Sequence, residues 1–132
     1  KLLMEIRGDK VEKITNIRQQ VDAVLNQLER QQPIQTHRTI ILDQAPTDMD
    51  ETIIDSFKKA VPQEDHYLLM GSMAGHDATH LASITKAGML FVPSIGGKSH
   101  CPEEYSRIED IEKVSNVLLQ AIFDLDNILD KE

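Results

Sequence analysis

Two long stretches of the chain carry apolar residues at steps of three and four. In the first, Val11, Ile14, Ile17, Val21, Val24, Leu25 and Leu28 draw one stripe, which predicts an amphipathic helix. Asp9 with Glu12 has capping-box spacing at its start, and Gln31-Gln32-Pro33 marks its end. In the second, Ile108, Ile111, Val114, Val117, Leu118, Ile122, Leu125, Ile128 and Leu129 repeat the pattern, with Ser106 and Glu109 as the matching cap signal. Between them, Ile53, Ile54, Phe57 and Val61 predict a shorter helix from about Asp50, stopped by Pro62. Residues 76–84 read as a further helix that starts at the small-residue loop 71–75.

The remaining apolar runs are short. Residues 1–7 and 36–42 read as strands, as does 67–70, and residues 88–93 form a continuous apolar run of the kind a parallel sheet covers on both faces. The resulting order is βαβ followed by αβαβα, an α/β chain. The polar turn at 43–50, with Pro46, is the expected boundary between the two parts. The chain opens directly on an apolar run, Leu2-Leu3-Met4, and on this reading looks cut from something longer.

Length and composition narrow the function classes. The chain has 132 residues, enough for one domain and hardly for two self-sufficient ones. Hydrophobic residues are 40% and charged residues 27%, which argues against wholesale disorder. Twenty-two Asp and Glu against 14 Lys and Arg give a net charge of −8, which disfavours nucleic acid and anionic membrane surfaces as partners. No apolar run reaches the ~20 residues of a membrane span, and no signal-peptide pattern is visible. The single cysteine, Cys101, leaves no internal disulfide. A reducing, cytoplasmic setting is the expectation.

Chemistry collects in two loops that follow the expected strands. The segment 94–104 holds Gly96-Gly97, which permit close backbone approach, then Ser99, His100, Cys101, Glu103 and Glu104. A neutral imidazole is a common metal ligand, and a nearby carboxylate can orient it; the bland alternative is a solvated polar loop. In the other, His76 and His80 stand four apart, as in a zincin helix, but Asp77 follows where the mechanism needs Glu, and no third ligand follows. A helix-start Asp with an exposed His is the simpler reading. Cys101 beside His100 lacks the partners of a thiol nucleophile. Arg7, beside Gly8, is either a carboxylate clamp or a solvated cation. Two clusters without a third partner look like half of an active site.

Taken together, Gly75-His76-Asp77-Ala78, Gly88-Met89-Leu90-Phe91-Val92-Pro93-Ser94 and Gly97-Lys98-Ser99-His100-Cys101-Pro102-Glu103-Glu104 resemble the C-terminal part of the metal-dependent amidohydrolases of the M20 peptidase superfamily. The resemblance is to the N-carbamoyl-L-amino-acid hydrolase, β-ureidopropionase and allantoate amidohydrolase group, and Glu5-Ile6-Arg7 resembles that group's Asp-Ile-Arg. It implies that His100 ligates one of two divalent ions, zinc or manganese, in the intact enzyme. It further implies that Arg7 binds the carboxylate of a small substrate, that Gly97 lines the substrate site and that His76 lies near its mouth. Residues 1–46 would be half of a lid that also builds a homodimer, and residues 47–132 the end of the catalytic domain. The general-base Glu and most metal ligands would lie outside the chain. Alone it is then expected to bind no metal and to be inactive. The competing expectation is a non-enzymatic dimerisation module that retains the fold.

Overall fold

A computed structural model describes residues 1–129; the last three residues of the expected second part lie outside it. Every regular element among the described residues is helical: α1 (Val11–Gln31), α2 (Glu51–Ala60), α3 (Asp77–Leu81), a 3-10 turn at Ile95–Gly97, and α4 (Ile108–Leu129). The expected βαβ and αβαβα order is therefore overturned. Residues 1–7, 36–42, 67–70 and 88–93 enter no strand. The physical reason is that a strand is stabilised by its ladder with a neighbour, and alternation or apolarity supplies only the tendency. Without that ladder, Leu2, Ile41, Leu42 and Leu68 remain largely exposed.

The described residues form two compact units, residues 1–47 with 71–75, and residues 48–70 with 76–129. In the first, α1 ends where the sequence requires, with Gln32 N–H donating to Leu28 O at 2.9 Å before Pro33. Its start differs from expectation. Lys10 is the capping position and makes no side-chain cap bond, while Asp9 pairs with Lys13 at 2.8 Å. That pairing holds the Asp9 carboxyl below its ordinary range.

One face of α1 grips the segment after it. Arg18, Asp22, Asn26 and Glu29, at steps of four, four and three, share a helix face. The Thr36 amide donates to Glu29 Oε1 at 2.6 Å, and the Thr36 hydroxyl donates to the same oxygen. Arg38 donates to Asp22 at 3.0 Å and to Asn26 at 2.8 Å. Arg18 reaches Asp43 at 3.3 Å. The stretch read as a strand is instead fastened to the helix by side chains, in antiparallel order.

In the second unit, α2 packs against α4. Asp50 caps α2 by accepting from the amides of Thr52 and Ile53, at 2.9 and 3.2 Å, which is why the helix starts there. The residues that the two helices bury are small: Ser56 on α2, whose hydroxyl donates to Thr52 O at 3.0 Å, and Ala121 on α4. Small side chains permit close helix approach. The run at 88–93 begins against α2, for a β-carbon built on Gly88 would meet Ile53 Cγ2 at 2.5 Å and Phe57 Cε2 at 3.1 Å. Lys113 on α4 pairs with Asp65 at 2.6 Å, and the hydrogen bond to Asp65 raises the Lys113 pKa.

Candidate functional site

The loop carrying His100 is closed at its neck. Ile95 N–H donates to Tyr105 O at 2.8 Å, and the Ser94 hydroxyl donates to Lys98 O at 2.6 Å. Inside it, Gly96 and Gly97 stand at φ 67° and 64°, backbone that glycine adopts without the β-carbon penalty. A β-carbon at Gly97 would find open space, so its glycine requirement is one of conformation and not of room.

His100 adopts the left-handed region too, at φ 56°, alone among the described non-glycine residues. A residue other than Gly there is uncommon and needs outside support. The support comes from Glu104. Cys101-Pro102-Glu103-Glu104 folds as a β-turn in which Glu104 N–H donates to Cys101 O at 3.0 Å. Pro102 sits where a fixed φ favours such a turn. The turn brings the Glu104 carboxylate back over the loop, where its Oε2 accepts the His100 N–H at 2.8 Å. The His100 side chain is exposed, and Cys101 is half-buried.

His76 is half-buried in the same unit as the N-terminal flank of α3. Its ring meets Phe91 edge to face, with centroids 5.6 Å apart and planes at 63°. Thr79 N–H donates to His76 O at 3.0 Å, starting a helix that runs only from Asp77 to Leu81, shorter than expected. Gly97 and His100 thus share one closed loop, while His76 stands on a different segment against an aromatic ring.

Arg7 belongs to the first unit. Its Nη2 pairs with Glu5 Oε1 at 2.8 Å and its Nη1 donates to Met73 O at 2.8 Å. The guanidinium is about half exposed, so it retains donors for an anion. The bond from the His100 amide to Glu104 is a feature the sequence pattern does not announce. Both acidic residues are visible in the pattern, but only Pro102, second in the four-residue turn, singles out the one that folds back.

The described residues bring together no group of three or more His, Cys, Asp or Glu that could hold a metal ion. A protein metal site takes three or four such ligands. Within the loop, His100 offers one exposed imidazole. No helix among the described residues is long and apolar enough to cross a membrane.

Comparison with known proteins gives the class. The sequence model of peptidase family M20/M25/M40 matches residues 12–124, and the chain belongs to that family. It is similar to an N-carbamoyl-L-amino-acid amidohydrolase of Paenarthrobacter aurescens, 35% identical over 62% of this chain and 20% of that protein. It is also 32% identical to the allantoate amidohydrolase of Escherichia coli, over 64% of this chain and 21% of that one. An uncharacterized hydrolase of Haemophilus influenzae is 28% identical over 93% of this chain and 30% of its own length. The chain thus spans 20% to 30% of the length of these relatives. No solved structure matches it significantly.

Proposed function

We propose that this chain is part of a hydrolase of linear, non-peptide C–N bonds, acting on small carboxylate-bearing molecules such as N-carbamoyl amino acids, ureido acids or allantoate. The observation that carries the reading is the family match across 12–124 together with similarity to amidohydrolases of that substrate type. In this reading two divalent ions, zinc or manganese, serve the intact enzyme, and His100 is a donor to one of them. In the same reading the general-base Glu and the remaining metal ligands belong to the part of the enzyme outside this chain, which spans 20% to 21% of the amidohydrolase relatives' length, and the isolated chain is inactive. Arg7 holds the substrate carboxylate: a planar guanidinium with free donors matches it bidentately. Gly97 lets the loop backbone approach the substrate, since glycine has no side chain and tolerates the left-handed φ found there. His76 borders the substrate site, its ring steadied by Phe91. The intact enzyme works in the cytoplasm and pairs as a homodimer through the unit that contains α1.

The test is hydrolysis of a panel of N-carbamoyl amino acids and allantoate by the intact protein carrying this chain, with and without a chelator. Turnover that the chelator abolishes supports the reading; no turnover of any panel member by metal-loaded protein overturns it. A second reading, a non-enzymatic association module, draws on the exposed apolar residues Leu2, Ile41, Leu42 and Leu68. It predicts association of the chain without hydrolysis by the intact protein.

A further inference from the structure

A left-handed residue that is not glycine marks a place where the surroundings hold the backbone against its preference. At His100 the hold is specific. The peptide N–H is taken by a carboxylate at 2.8 Å, the carboxylate arrives through the 101–104 turn, and the loop neck is closed at Ile95 and Tyr105. The backbone φ and ψ set where the β-carbon points and limit which rotamers the side chain can take, so whatever fixes φ at 100 also narrows where the imidazole projects. Glu103 is equally acidic and one residue nearer, yet the bond runs to Glu104.

We infer that Glu104 is a positioning residue for His100, its carboxylate clamping the His100 amide so that the imidazole projects from a fixed left-handed turn. The inference rests on the proposed role of His100, and goes beyond it by naming the group that presents the ring. Glu104 acts through the backbone and need not touch substrate.

The experiment is amide hydrogen exchange and imidazole resonances of His100 by NMR in the full chain, comparing the unaltered protein with Glu104→Ala, Glu104→Gln and Glu103→Ala. Glu104→Ala should speed exchange at His100 about tenfold, the scale of a lost charge-assisted hydrogen bond, and shift the imidazole resonances. Glu104→Gln keeps an acceptor and should restore both signals, while Glu103→Ala should leave both in place. The inference is overturned if Glu104→Ala matches the unaltered chain, if Glu103→Ala has the same effect, or if the imidazole signals stay put while the amide loosens. Should Glu104→Ala unfold, the unaltered chain still decides: His100 must exchange more slowly than Ser99 after correction for sequence, and equal rates overturn the clamp. Failure of the hydrolase reading would leave these signals as expected and show only as absent turnover.

Discussion

Gly88 lies so close against Ile53 that a β-carbon at position 88 would fall 2.5 Å from Ile53 Cγ2. Real β-carbons do not approach so near, so Gly88→Ala must push Ile53 or the backbone aside. Overpacking of this kind costs about 1–3 kcal/mol. Denaturant unfolding of the chain should show a lower midpoint with an unchanged slope, and an unchanged midpoint would mean that Ile53 swings clear.

Asp50 fixes the start of α2 through two amides. Asp50→Ala should cost about 1 kcal/mol, the usual worth of an N-terminal cap, and Asp50→Ser should recover most of it. Thermal unfolding followed by circular dichroism measures both variants; equal loss in both would point away from the cap.

Acid should loosen the strap on α1. The side-chain hydrogen bond from Thr36, with the Thr36 amide, holds the Glu29 carboxyl below its ordinary range. A carboxyl whose folded pKa is lowered contributes stability above its unfolded value, about 4.3 for Glu, and loses it as pH falls through the folded value. The Thr36 amide resonance should therefore move and lose protection only below about pH 4. Glu29→Gln should remove that pH-dependent step, and its survival in Glu29→Gln would assign it to another group.

Ile40, Ile41, Leu42, Leu68 and Ile84 each expose about two-thirds of their surface or more. Apolar surface left in water favours association. Size-exclusion elution of the isolated chain should shift earlier as concentration rises, and Ile41→Lys with Leu42→Lys should reduce the shift. A single concentration-independent monomer peak would contradict the expectation.

What the sequence revealed follows the range of the forces involved. The helices were legible because their signals are local: the stripe of α1, the apolar positions Ile53, Ile54 and Phe57 with Pro62 near the end of α2, and the long periodic face of α4. The expected strands failed because their partners would have to come from far along the chain, and nothing in residues 36–42 or 88–93 states whether a partner arrives. In their place came contacts that periodicity does not report, such as Glu29 with Thr36 and Gly88 with Ile53. The loop at 94–104 was visible as a dense cluster with two glycines. The left-handed backbone at His100 was not, because histidine gives no sign of it and the support comes from an acceptor four residues on.

Elemental analysis of the intact enzyme tests most directly whether His100 is a metal donor there. Zinc and manganese measured in purified intact protein should fall clearly in His100→Ala relative to the unaltered form. Arg7→Ala should keep its metal and lose substrate affinity. Undiminished metal in His100→Ala would contradict the assignment.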